Sequence, residues 1–276
     1  MGYYYNYAPE LNYWRFRSPK IKKKMTAAVV ADLHECSFGD RNCRLFDALD
    51  EAAPDMVIIA GDLIEAGDGK SCRRTMGVLR ELTRRYPVLY GVGNHEHKVY
   101  DSPVYRKKRK SLDQGLKRAG ISLMRNISVD IPDTGIRITG LDLNRPYYRK
   151  VIRRPIPKGL LNELLGDRDP SFYNILIAHN PEHFKDYLRW KPDLILSGHV
   201  HGGIIRLPYL GGVVSPAFRL FPRYDAGLFR EKDTRMLISR GVGTHSLNIR
   251  LWNRPEIPVI HLEPGSKSEA VRLNPK

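Results

Sequence analysis

Five short blocks of this sequence concentrate side chains that hold metal ions or move protons. They are Asp32-Leu33-His34, Gly61-Asp62, Gly93-Asn94-His95-Glu96, Ala178-His179-Asn180, and Gly198-His199-Val200-His201 followed by Gly202 and Gly203. At a strand end, residues i and i+2 project from the same face, so Asp32 and His34 can converge on one cation. His199 and His201 repeat that spacing in a glycine-rich loop through which backbone can approach closely. In the third block an amide oxygen and an imidazole stand side by side, so one can ligate a hard metal while the other faces a substrate. With His95 set aside, the candidate ligands in the blocks are two Asp (Asp32, Asp62), one Asn (Asn94) and four His (His34, His179, His199, His201), all oxygen and nitrogen donors without sulfur. That mixture suits two borderline or hard divalent ions sharing a bridging carboxylate, with manganese, iron and zinc all candidates.

The blocks recur because the elements before them recur. Ala27 to Asp32 and Met56 to Ala60 are short apolar runs ending in polar turns, as buried strands do. Between them, Arg41 to Ala53 carries apolar residues near helical spacing and stops at Pro54. A helix over Cys72 to Arg85, a strand over Val88 to Gly91 and a basic helix over Val104 to Ala119 continue the alternation. This pattern predicts βαβ units and a mainly parallel sheet, with ligands expected at the strand ends. From Ile121 to Leu143 short β-rich pieces follow each other directly, which predicts antiparallel pairing. Tyr173 to Ala178 and Asp193 to Ser197 read as buried strands, with a helix over Pro181 to Trp190 capped by Asn180. Hairpin-like pairs close the chain, among them Leu228 to Arg230 against Arg235 to Ser239, and Pro255 and Pro258 bound a final strand to Leu262. The expected organisation is a basic and aromatic segment over 1–24, one domain over 25–265 and a tail over 266–276.

Composition narrows the classes further. The 276 residues are 42% hydrophobic and 28% charged, a globular balance that excludes wholesale disorder. Apolar stretches such as Met56 to Gly61 fall far short of the ~18 residues of a membrane helix. The net charge of +16 favours anionic partners. Three cysteines, Cys36, Cys43 and Cys72, form no Cys-x-x-Cys pair, which argues against a disulfide framework or a thiolate zinc site. With no secretory h-region near the N-terminus, a cytoplasmic location is expected.

In the order and spacing of its five blocks, from Asp32 to His201, the sequence resembles the calcineurin-like metallophosphoesterase family. That resemblance implies a four-layer αββα sandwich of the α/β class with two divalent metal ions at its strand ends. It implies one ion on Asp32, His34 and His201, the other on Asn94, His179 and His199, and Asp62 bridging them. His95 would face the transferred phosphoryl or leaving-group oxygens, and Glu65 stands where relatives often have an Asp that orients this histidine. The implied chemistry is hydrolysis of a phosphodiester or pyrophosphate bond through a hydroxide shared by the ions. The family's protein phosphatases follow the second motif with Asp-Arg, whereas Glu65-Ala66 stands here and removes an Arg that would grip a phosphate.

The loop Gly198 to Gly203, the segment Phe221 to Phe229 and the stretch from Arg240-Gly241-Val242-Gly243 to Pro255-Glu256 resemble a bacterial branch of the family. Some of that branch is associated with the cell envelope, and similar enzymes cleave the pyrophosphate of UDP-2,3-diacylglucosamine, so a lipid-linked substrate is one expectation. A metal-dependent nuclease, suggested by the net charge and the run Arg106 to Lys110, is an alternative placed behind it. A non-catalytic scaffold retaining the fold is another, disfavoured by the complete ligand set. His245 could reach the site, and Cys36 reads as a packing residue. Peripheral contact with anionic membranes is also expected, through the aromatic residues Tyr3 to Trp14 beside Lys20 to Lys24 and Arg106 to Lys110.

Overall fold

The apolar runs alternate sides along each strand, and this alternation builds the layers. In the computed structural model, which describes residues 8–67, 72–148, 154–203, 205–207, 211–214, 220–244 and 250–273, the elements are nearly all short. The strands are β1 (Glu10–Ser18), β2 (Met25–Val30), β3 (Met56–Ile59), β4 (Val88–Gly91), β5 (Leu123–Met124), β6 (Ile127–Ile131), β7 (Ile136–Gly140), β8 (Tyr173–Ile177) and β9 (Leu194–Ser197). They continue with β10 (Ile205–Leu207), β11 (Gly211–Val214), β12 (Gly227–Glu231), β13 (Thr234–Ile238), β14 (Glu256–Pro264) and β15 (Glu269–Arg272). The α-helices are α1 (Cys43–Ala52), α2 (Arg73–Arg85), α3 (Asn94–Asp101), α4 (Arg106–Ala119), α5 (Leu160–Leu165) and α6 (Phe184–Tyr187).

One sheet runs β15-β1-β14-β2-β3-β4-β5 and the other β12-β13-β9-β8-β7-β6, with β10 and β11 forming a separate hairpin. β2, β3, β4 and β5 are mutually parallel, as are β7, β8, β9 and β13. Ala28, Val30, Val57 and Ile59 pack with Leu45, Leu49, Val78, Leu82, Leu112 and Leu116 of α1, α2 and α4. Their alternating neighbours Ala27, Val29, Met56 and Ile58 face Ile136, Ile138, Ile175, Leu194 and Leu196 of the second sheet. The far face of that sheet, with Leu176, Ile195 and Met236, packs on Leu161, Phe184 and Tyr187. Three apolar layers thus separate helix, sheet, sheet and helix, the expected αββα sandwich.

Several expectations need correction. The sheet does not begin at residue 25. β1 pairs parallel to β14 over Glu10 to Ser18 and antiparallel to β15, so parts of the supposed N-terminal segment and tail belong to the domain. Phe16 is fully buried, Tyr13 stacks on His261 and the Arg272 guanidinium lies over Trp14, so these aromatics pack on the sheet. Tyr3 to Tyr7 lie outside the described residues. β6 and β7 pair antiparallel as expected, but β5 joins the first sheet in parallel with β4. The helix after Asn180 is one α-turn, α6, between two 3-10 segments, and the Asn180 side chain caps the first of these, Pro181–His183, by accepting from the Glu182 N–H. The two basic segments occupy opposite ends of the strands. Lys20 pairs with Asp193 just before β9, whereas Lys108 donates to the carbonyls of Glu65 and Gly67 beyond the end of β3.

Candidate metal centre

All five blocks leave the carboxyl ends of β2, β3, β4, β8 and β9 and meet in the cleft between the sheets. Two groups assemble there, Asp32 with His34 and His201, and Asp62 with His179 and His199; within each, one ligand atom per residue lies within 4.8 Å of the others. A third group of the same kind joins His34, Asp62 and His95. His34 links the groups, its Nε2 standing 3.7 Å from Asp32 Oδ1, 3.9 Å from Asp62 Oδ2 and 3.2 Å from His201 Nε2.

The backbone is bent to make this convergence possible. Asp32, His34, Asp62, His199 and His201 all adopt positive φ, between 47° and 73°. Non-glycine residues in that region cost of order 1–3 kcal/mol each and persist where surrounding bonds over-determine them. Here the loops lace each other. The Asp32 N–H donates to Gly61 O at 3.0 Å, the His34 N–H to Asp62 O at 3.2 Å, and the Gly243 N–H to Asp32 O at 2.7 Å. Glycine is required at Gly93 and Gly198, where an added Cβ would lie 2.2 Å from Asp62 Oδ1 and 2.5 Å from Asp32 Oδ2.

The electrostatics call for positive charge. Asp32 is fully buried and Asp62 is 2% exposed. Burial alone would raise both carboxyl pKa values, but the facing imidazoles hold them well below the ordinary range. His179 Nδ1 meets the Ala60 carbonyl at 2.7 Å, which fixes that nitrogen as the donor. Its Nε2 therefore points at Asp62 Oδ2, 3.1 Å away. Two lone pairs at that distance need a proton or a cation between them. Burial would lower the His179 pKa, yet the two carboxylates and the carbonyl override it and push it up to about 10. The buried Asn94 Oδ1 has no hydrogen-bond partner, as befits an oxygen that serves a cation. The donor set, the opposed lone pairs and the orphaned amide oxygen all fit divalent metal, and Asp32, His34, Asp62, Asn94, His179, His199 and His201 are the residues that would hold it.

A model of the calcineurin-like phosphoesterases matches residues 25–203, the stretch that carries all five blocks. The chain belongs to the calcineurin-like phosphoesterase family. Similar relatives include the uncharacterized metallophosphoesterase YkuE of Bacillus subtilis, 30% identical over 78% of this chain and 70% of its own length. Phosphodiesterase YaeI of Escherichia coli is 30% identical over 84% of this chain and 80% of its own. Among solved structures, TT1561 of Thermus thermophilus is 11% identical, covering 80% of this chain and 92% of that one, with a TM-score of 0.48.

Within this calcineurin-like phosphoesterase, the remaining residues divide into those that orient ligands and those that do not. Each carboxylate also accepts from the backbone: Asp32 from the His199 N–H at 3.0 and 3.1 Å, Asp62 from the His95 N–H at 2.8 Å. The latter donor is one of the first-turn N–H groups of α3, which by helix geometry bond outside the helix. The role expected of Glu65 needs a hydrogen on His95 Nδ1, and the structure gives that nitrogen a different partner. The Ala66 N–H donates to it at 2.8 Å, which makes Nδ1 an acceptor and leaves the hydrogen of a neutral imidazole on Nε2. Cys36 is buried, its sulfur accepting from the Thr244 N–H at 3.3 Å, in keeping with packing. His245 lies outside the described residues.

Three supporting residues went unassigned in the sequence. Glu96 is fully buried; its Oε2 accepts from the N–H groups of Asp62 (2.8 Å) and Gly93 (3.0 Å), and its Oε1 from the Ile64 N–H (3.1 Å) and the Tyr90 hydroxyl (2.7 Å). Burial and the Asp62 charge push its pKa up to about 7 against those bonds. It is the acidic half of a capping box on α3, turned into a clamp between two ligand loops. Arg250, also buried, donates to the carbonyls of Gly241 and Gly243. Asn253 donates to those of His201 and Gly203, both at 2.6 Å. The Glu in the third block was the available signal for the first; nothing in the spacing marked the other two.

Glu96→Gln should expose what the clamp does. An amide NH2 would face either the N–H groups of Asp62 and Gly93 or that of Ile64 beside the Tyr90 hydroxyl, so at least one N–H is left unsatisfied, at roughly 1–3 kcal/mol. Metal affinity should fall roughly 10–100-fold, the usual cost of losing a partner that orients ligands. Urea unfolding with and without metal, together with metal titration, reads both. An unchanged midpoint and affinity would remove Glu96 from this role.

Proposed function

We propose that this protein hydrolyses a phosphodiester or pyrophosphate bond with two divalent metal ions. The observation that carries the reading is the pairing of two ligand groups around buried Asp62, whose Oδ2 faces His34, His95 and His179. When bound, divalent cations there supply Lewis-acid stabilisation of the phosphoryl charge and activate water. Asp32 and Asp62 set the charge of the site, and the imidazoles orient around them. His95, with Nδ1 occupied by Ala66, presents Nε2–H as a hydrogen-bond donor to a phosphoryl or leaving-group oxygen.

A diester or pyrophosphate is favoured over a phosphoprotein because Ala66 is buried, at 1% exposure, where the family's protein phosphatases carry an arginine. The nuclease reading loses part of its support, since Lys108 of the basic run is committed to two loop carbonyls. The test is a panel of p-nitrophenyl phosphate, bis(p-nitrophenyl) phosphate and nucleotide diphosphates, assayed with and without chelator after metal analysis. Diester or pyrophosphate turnover should vanish in chelator and return with a divalent ion. Undiminished turnover in chelator would sink the metal reading, and a preference for the monoester would redirect the substrate class.

A further inference from the structure

Two short turns hold large apolar side chains out in solvent. Leu220 is 69% exposed and Phe221 61%; Leu251 is 45% exposed and Trp252 73%. Phe221 and Trp252 have φ values of 46° and 52°, a region that bulky residues seldom occupy. Backbone bonds pin both turns to the β10–β11 hairpin, from the Phe221 N–H to Val213 O at 2.8 Å and from the Arg206 N–H to Leu251 O at 3.0 Å. The turns thus flank the hairpin about three strand spacings of ~4.8 Å apart. The second is also tied to the metal centre, because Leu251 and Trp252 stand between Arg250 and Asn253, the two buried residues that hold the carbonyls around His201.

We propose that these two turns seat the protein on an anionic bilayer, so that the site acts on a phosphoester carried at that surface; this rests on the phosphoesterase reading above. A bilayer fits better than a protein partner because of size. A specific protein interface buries about 800 Å² per partner. Two tips of two residues, with ~150–250 Å² in each aromatic side chain, fall short of that unless flanking surface joins them. Insertion into headgroups needs no matching surface, and aromatic side chains settle at that depth. Charge points the same way. The chain carries +16, and the basic start of α4 reaches the same end of the strands, where Lys108 meets the loop after β3. No helix among the described residues is long and apolar enough to cross a membrane. The contact expected from the N-terminal aromatics and Lys20 to Lys24 thereby moves to the end where the metal ligands lie.

Co-sedimentation of the full chain with phosphatidylcholine vesicles, and with vesicles half phosphatidylglycerol, tests this without using turnover. Its failure would therefore leave the phosphoesterase reading untouched. Wild type should bind the anionic vesicles and release as salt rises. Phe221→Ser with Trp252→Ser should weaken partitioning by roughly tenfold or more, with circular dichroism checking the fold. Trp190 is buried and Trp14 partly covered, so a blue shift of emission on anionic vesicles should report Trp252 and disappear in Trp252→Phe, which should still bind. The proposal is overturned by absent binding at low salt or by undiminished binding of the double variant. It is equally overturned by a wild-type dimer that the double variant breaks, which would assign the patch to a second copy of the chain.

Discussion

Asp62→Asn should lower turnover of bis(p-nitrophenyl) phosphate by more than roughly 100-fold, beyond the usual cost of losing an outer partner of a ligand. It should lower the stoichiometry of bound metal as well. The substitution keeps the shape of the side chain and the oxygen that accepts from the His95 N–H at 2.8 Å. What it removes is a buried negative charge. Asp62 Oδ2 lies 3.1 Å from His179 Nε2 and 3.9 Å from His34 Nε2, so one carboxylate serves nitrogens of both ligand groups. An amide there leaves those imidazoles with half the nearby anionic charge, and the loss falls on both groups at once. Elemental analysis after dialysis and calorimetric titration of the apo protein read this directly. Loss of one ion with the other retained at wild-type affinity would show that Asp62 does not bridge. Unchanged metal content and turnover would remove it from the centre.

The candidate ligands were legible because each stands just past a short apolar run, and a buried strand constrains both its own composition and the polar turn that ends it. Asp32 follows β2, Asp62 follows β3 and His179 follows β8 in this way. The first and last strands were not legible, because their partners are remote in sequence. β1 finds β14 more than two hundred residues away, and its mixture of Tyr, Trp and Arg looks like a surface segment until Asn12 meets Glu256 and Phe16 enters the core. α3 was missed for a different reason. Its first residues, Asn94, His95 and Glu96, were read for their chemistry, and their place in a helix's first turn shows only once the Asp62 carboxylate is seen accepting from it. Arg250 and Asn253 act on backbone carbonyls, and a carbonyl leaves no trace in residue type.

His95→Ala should reduce kcat by roughly 10²–10⁴-fold, the range of a positioned proton donor or acceptor, and should leave bound metal near wild type. The geometry allows a competing assignment, since His95 forms a group with His34 and Asp62 and its Nε2 lies 4.0 Å from Asp62 Oδ2. A ligand would turn the Nε2 lone pair toward the cation, and a neutral imidazole would then need its hydrogen on Nδ1. That nitrogen already accepts from the Ala66 N–H, so the hydrogen belongs on Nε2 and the ring is set to donate. His199→Ala is the contrast. It removes a side chain grouped with Asp62 and His179 while keeping the backbone N–H that Asp32 accepts from, so metal should be lost without the Asp32 loop losing its bond. Metal content and kcat measured on both variants separate donor from ligand. Equal metal loss in the two would make His95 a ligand and return the role of phosphoryl hydrogen-bond donor to another residue.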